Sequence, residues 1–160
     1  MELPKRKNIR LTEYNYQTPG AYFVTVCTKD RCSIFWENVG ASIARPQEIK
    51  LTACGVWAKE AVESIEEKYP AISVEAYVIM PNHIHLLLQI HAHEDGRAML
   101  APTLSIVVQQ MKGFVTKKVG YTLWQKGFYD HVIRNEKDFW EISEYIQNNP
   151  IKWIEDEFYT

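Results

Sequence analysis

A ferredoxin-like α+β fold is what this sequence predicts: an antiparallel βαββαβ sheet with helices on one face, plus a C-terminal helix. Three observations lead there. The 160 residues make one domain's length, with an ordinary globular composition of 46% hydrophobic and 24% charged residues. Segments of period two, rich in β-branched and aromatic residues, alternate with segments of period 3.6 in the order β, α, β, β, α, β, α, once a short excursion after the first strand is set aside. Capping and helix-stopping residues fall at the joins. One domain is expected over residues 1–160, with 1–20 an N-terminal arm and 136–149 the C-terminal helix.

The elements follow in order. AYFVTVCTK (21–29) alternates and is β-branched, as a strand requires. The stretch 33–51, SIFW through EIKL, reads as a hairpin-like excursion. From 52 to 69 apolar residues recur at Cys54, Trp57, Ala58, Ala61, Val62, Ile65 and Tyr69, which is helical spacing; Thr52 offers an N-cap and Pro70 a stop. ISVEAYVIM (72–80) and HIHLLLQI (83–90) are two strands joined at Pro81-Asn82, through a tight turn or a kink in one long strand. HAHEDGRAMLA (91–101) is a polar loop, and His91 and His93 within it are expected to be solvated. Helix returns over 103–119, with Leu104, Val107, Val108, Met111, Phe114 and Val115 on one side. WQKGFYDHVIR (124–134) reads as a strand, and EKDFWEISEYIQNN (136–149) as a helix that ends at Pro150, docked through Phe139, Ile142 and Ile146.

Bulk properties exclude some functions. Net charge is −2, so any nucleic-acid surface must be local, as in the cluster Lys5, Arg6, Lys7 and Arg10. Cys27, Cys32 and Cys54 are an odd set without metal-type spacing, which fits a reducing compartment and argues against a disulfide scaffold. The charged start lacks the apolar run of a secretory leader, and no apolar stretch approaches ~18 residues. A cytoplasmic protein without membrane contact is expected.

The chemistry concentrates at VIMPNHIHLLLQI (78–90). His83 and His85 stand two residues apart on one strand, so both rings project from the same face, about 6–7 Å apart along the rise. Two neutral imidazoles on a stiff strand form a bidentate metal platform with open positions for a substrate oxygen. The plain alternative is two hydrogen-bonded histidines on a partly exposed sheet. On the last helix Tyr145 and Asn149 are i and i+4, on one face. An amide oxygen at Asn149 suits a hard divalent ion, and Tyr145 offers a nucleophile. Taken singly, Tyr145 also reads as a packing aromatic, and Asn149 as a helix end beside Pro150.

MPNHIHLLL followed by EYIQNNPIKW, with RLTEYNYQTPGAYFVTVCT before them and WQKGFYDHVIRNEKDF between, resembles the IS200-type single-tyrosine (HUH) transposases, and within them the subgroup associated with repetitive extragenic palindromes (REP). The four blocks span nearly the whole chain. The resemblance implies the ferredoxin-like fold reached above from periodicity. It implies a transposase that cleaves and rejoins single-stranded DNA, often beside a hairpin or palindromic element, through a 5′-phosphotyrosine. On this sequence His83 and His85 match the pair that binds the catalytic cation, Mg²⁺ or Mn²⁺. Asn149 stands at the third, amide, ligand position, and Tyr145 at the nucleophile. A phenol ionises near pH ~10 when unperturbed, so it needs a metal or a base to attack as phenolate.

Tyr129 is a rival nucleophile, sharing a strand face with His131; both are otherwise candidates to line the DNA path. Lys112, Lys126 and Arg134 are candidate phosphate contacts. Arg10, Tyr14 and Tyr16 are candidates to meet a hairpin or stack on bases. The resemblance leaves open a monomer or a homodimer with exchanged helices. The acidic balance leaves open a non-catalytic module that binds DNA hairpins.

Overall fold

A computed structural model describes residues 20–37, 49–91 and 103–150. Strand β1 (Gly20–Cys27) is followed by a tight turn at Lys29–Arg31. Helices α1 (Ala53–Glu63) and α2 (Ile65–Lys68) lead into strands β2 (Ile72–Ile79) and β3 (His83–Ile90). Helix α3 (Leu104–Val119), strand β4 (Tyr129–Ile133) and helix α4 (Glu136–Asn148) complete the chain. The sheet order is β2-β3-β1-β4 with every pairing antiparallel, the ferredoxin-like arrangement predicted from the sequence. Among the described residues no helix is long and apolar enough to cross a membrane.

Local chemistry explains the helix starts. Thr52, Thr103 and Asn135 each sit in extended conformation and accept a hydrogen bond on the side-chain oxygen, from Gly55 N, Ile106 N and Asp138 N. Each bond satisfies one of the amides a first turn leaves without a helical partner. Helix α3 ends at Gly120, whose φ of 82° is the left-handed value a C-terminal cap requires. The join at Pro81-Asn82 is a tight turn, not a kink: Met80 N donates to His83 O at 2.8 Å, and β2 and β3 pair antiparallel on either side.

Alternation divides the sheet. Tyr22, Val24 and Val26 of β1 and Ile84, Leu86, Leu88 and Ile90 of β3 are buried in one core with Ala58, Val62, Val108 and Met111 of α1 and α3. Tyr77 Oη donates to Glu63 Oε1 at 2.6 Å, tying β2 to α1; burial first, and then the Glu63 hydrogen bond and charge, hold that phenol above its usual range. The opposite face, with Phe23, Thr25, Cys27, His83, His85 and Leu87, receives α4, which touches β2, β3 and β4. A period-3.6 stripe was legible on α4, but of its three residues only Ile146 is fully buried; Phe139 and Ile142 are half-buried.

Two expectations change in detail. The strand predicted over 124–134 is shorter: Trp124 makes one bridge to Thr28, and regular pairing starts at Tyr129. Between them Gly127 adopts φ 81°, and Lys112 Nζ donates to the carbonyls of Gln125 (2.8 Å) and Gly127 (2.6 Å). The carbonyls that a ladder would use are taken by an ammonium. The excursion over 33–51 is represented, among described residues, by one antiparallel bridge, Trp36 to Leu51.

Candidate active site

Register brings the histidines together with residues far away in sequence. On β3, His85 lies opposite Thr25 of β1 and Val78 of β2, and His83 lies opposite Cys27. Both imidazoles are buried, at 0% and 1% exposure, so the partly exposed sheet face offered by the plain alternative does not occur. Their Nε2 atoms are 3.0 Å apart. On the far side of each ring, His83 Nδ1 is 2.7 Å from Asn82 Oδ1, and His85 Nδ1 is 2.8 Å from Thr25 Oγ1.

Helix α4 lays Tyr145 over this pair. Its ring centroid is 5.4 Å from that of His85 and 6.2 Å from that of Phe23, and Phe23 stacks on His85 at 5.2 Å. Tyr145 keeps 41% of its surface exposed. One turn on, Asn149 is buried at 3% exposure, and its Nδ2 has no hydrogen-bond partner. A buried amide with an unsatisfied atom is costly and calls for a partner.

The donor set fits a divalent ion. Two nitrogens each ~2.1 Å from a shared ion and ~90° apart at it lie ~3.0 Å from one another, which is a cis pair in an octahedral shell. Among the described residues no three His, Cys, Asp or Glu side chains converge. Such a shell keeps several positions open.

The remaining candidates are dispersed. Tyr129 lies on β4 opposite Thr25, and His131 opposite Phe23, so both share the sheet face of the histidines. His131 Nε2 is 2.8 Å from Asp138 Oδ2, an exposed contact that links β4 to the first turn of α4. Lys126 and Arg134 are exposed, just before and just after β4. Arg10, Tyr14 and Tyr16 lie outside the described residues, as does His93. His91 is exposed and bonded to Ser73 Oγ at 2.8 Å.

Lys112 supports the loop before β4. Trp124 Nε1 donates to its carbonyl at 3.1 Å, while its ammonium holds the carbonyls of Gln125 and Gly127. Lys112→Met is expected to cost about 1–3 kcal/mol of stability. Thermal unfolding measures this. If the ammonium serves the loop, the salt slope of DNA affinity is unchanged; if it touches phosphate, the slope falls by about one.

Sequence reasoning missed Asn82 and Thr25, the partners of the two Nδ1 atoms. Asn82 adjoins His83 in the chain, and that adjacency was the available signal. Thr25 had none, because the β1–β3 register alone sets it against His85.

Comparison with known proteins bears on the family and the fold. Residues 16–149 match the family model for IS200-like transposases. A protein of Haemophilus influenzae with no assigned function is 32% identical over 96% of this chain and 93% of its own. The REP-associated tyrosine transposase of Escherichia coli K12 is 27% identical over 60% of this chain and 55% of its own. The fold matches the solved structure of a REP-associated tyrosine transposase bound to a REP hairpin, with a TM-score of 0.59 and 24% identity over 89% of this chain and 74% of that one. The chain belongs to the IS200-like transposase family, and its REP-associated relatives share both its sequence pattern and its fold.

Proposed function

We propose that this chain cleaves and rejoins single-stranded DNA, with Tyr145 as nucleophile and with His83, His85 and Asn149 as the residues that hold a divalent cation, Mg²⁺ or Mn²⁺. The observation that carries this is the convergence, within one chain, of two imidazole Nε2 atoms 3.0 Å apart beneath a tyrosine ring 5.4 Å from His85. A bound cation supplies charge neutralisation on a phosphate oxygen, which offsets the repulsion a nucleophile meets at a phosphodiester.

The protein's own groups do the rest. Tyr145 Oη forms a bond to phosphorus as the bond from phosphorus to the 3′-oxygen breaks. The phenolic proton ends on that oxygen, leaving a 3′-hydroxyl and a 5′-phosphotyrosine. In the reverse direction a 3′-hydroxyl attacks, the bond to Tyr145 breaks, and the proton returns to the phenol. One phosphoester bond replaces another in each direction, so no nucleotide cofactor is needed. Helix α4 positions the phenol over the imidazoles by packing on β2, β3 and β4.

The substrate is proposed to be single-stranded DNA beside a hairpin or palindromic element, by analogy with the relative solved on a REP hairpin. Tyr129, His131, Lys126 and Arg134 share the β4 side and are proposed to line its path, and Arg10, Tyr14 and Tyr16 are proposed as further DNA contacts. Because the tyrosine and both histidines come from one chain, a monomer is proposed to suffice, in the cytoplasm. The test is incubation with hairpin-flanked single-stranded DNA and Mn²⁺ or Mg²⁺, followed by denaturing electrophoresis. A covalent protein–DNA adduct is expected. Hairpin binding by gel shift without an adduct under either ion would instead make the chain a non-catalytic hairpin-binding module.

A further inference from the structure

The two histidines are not equivalent, and the difference comes from their outer partners. Asn82 is buried at 1% exposure, and its amide orientation is set on two sides. Its Nδ2 donates to Arg31 O at 3.3 Å, which leaves Oδ1, an acceptor only, facing His83 Nδ1 at 2.7 Å. His83 must therefore carry its proton on Nδ1, and as a neutral ring it presents its lone pair on Nε2. Thr25 faces His85 with a hydroxyl, which donates or accepts equally well.

The 3.0 Å separation of the two Nε2 atoms completes the argument. Two N–H groups cannot face each other at that distance, and two lone pairs repel unless a cation lies between them. Without metal, one ring must donate to the other, and His83 is already fixed as acceptor. His85 then carries its proton on Nε2 and accepts from the Thr25 hydroxyl on Nδ1. With a cation present, His85 must move its proton to Nδ1, where Thr25 Oγ1 accepts it.

The support for Asn82 is itself rigid. Asp30 and Arg31 adopt φ of 56° and 53°, left-handed values that non-glycine residues rarely take. The turn is clamped to the PNH segment: Thr28 N donates to Asn82 O at 3.0 Å, and Thr28 Oγ1–H is shared between Cys32 O (2.8 Å) and Asn82 O (3.1 Å). Strain of this kind persists where surrounding contacts over-determine it.

We infer that Asn82, held by the left-handed turn at Asp30-Arg31, is a positioning residue that locks His83 in the metal-ligating tautomer, while Thr25 lets His85 switch tautomer as the ion enters. This rests on the metal site proposed above. The test uses the full chain with ¹⁵N-labelled histidine, free of metal and then titrated with diamagnetic Zn²⁺, and ring tautomers read by long-range ¹H–¹⁵N correlation. Without metal, His83 is expected as Nδ1–H and His85 as Nε2–H; with Zn²⁺ both become Nδ1–H. A proton on His83 Nε2 in the metal-free protein would overturn the inference, and so would identical tautomers for the two rings.

In parallel, Mn²⁺ affinity is measured by electron paramagnetic resonance. Asn82→Ala is expected to weaken it about 10–100-fold, and Asn82→Asp, which keeps an acceptor for Nδ1–H but loses the donor to Arg31 O, to restore part of the loss. Unchanged Mn²⁺ affinity in Asn82→Ala also overturns the inference. Wild-type protein that binds no Mn²⁺ while showing the expected metal-free tautomers would refute the metal site and uphold the Asn82 lock, so the two failures are distinguishable. If Asn82→Ala does not fold, the wild-type spectra decide alone.

Discussion

Tyr145→Phe is expected to remove the covalent protein–DNA adduct, lowering its yield by at least roughly 10⁴-fold, while hairpin binding stays within about twofold. The substitution deletes one oxygen and keeps the ring that lies 5.4 Å from His85 and 6.2 Å from Phe23. Packing of α4 is therefore preserved, and loss of adduct reports loss of the nucleophile. Tyr129 makes the experiment a real test. It sits on the same sheet face, opposite Thr25, two strands from His85. At a strand spacing of ~4.8 Å its Cα is about 10 Å from that of His85, near enough for a side chain to compete. An adduct that persists in Tyr145→Phe and vanishes in Tyr129→Phe would transfer the role to β4.

Withdrawal of divalent ions by a chelator is expected to reduce cleavage at least about 10³-fold, and added Mn²⁺ to restore it. His85→Ala is expected to lose as much and to stay inactive at any Mn²⁺ concentration. His85 is the more informative of the two rings because it touches Thr25, His83, Phe23 and Tyr145. Its removal also leaves a void beneath α4, so thermal unfolding of the variant must accompany the rate. Full cleavage by the chelated wild type would end the proposal that the imidazoles hold an ion. Cleavage restored to His85→Ala by excess Mn²⁺ would leave the ion in place and deny His85 its part in holding it.

The candidate site was partly legible before any coordinates. Strand parity put His83 and His85 on one face, and helical spacing put Tyr145 and Asn149 one turn apart. Both are short-range consequences of backbone geometry, so a local pattern suffices. Lys112 shows the limit of such reasoning. Its charge alone marks it as a candidate phosphate contact, and the carbonyls of Gln125 and Gly127 that its ammonium meets, 13 and 15 residues further along the chain, are set by the fold. The strand expected over 124–134 failed for the same reason. Its composition is β-like, but Gly127 turns left-handed and the ladder starts only at Tyr129.

By itself the sequence determined the element order, the helix cap at Thr52, and the two-residue and four-residue spacings that aim pairs of side chains the same way. It did not determine which sheet face α4 covers, nor that β1 sets Thr25 against His85 and Asp30-Arg31 against Asn82. Periodicity records which side of an element is apolar, and that is decided residue by residue. Which surface that side meets, and in what register, is decided by burial summed over segments far apart in the chain. Only the folded sheet therefore turns a His-Ile-His triplet into two imidazole nitrogens 3.0 Å apart under a tyrosine.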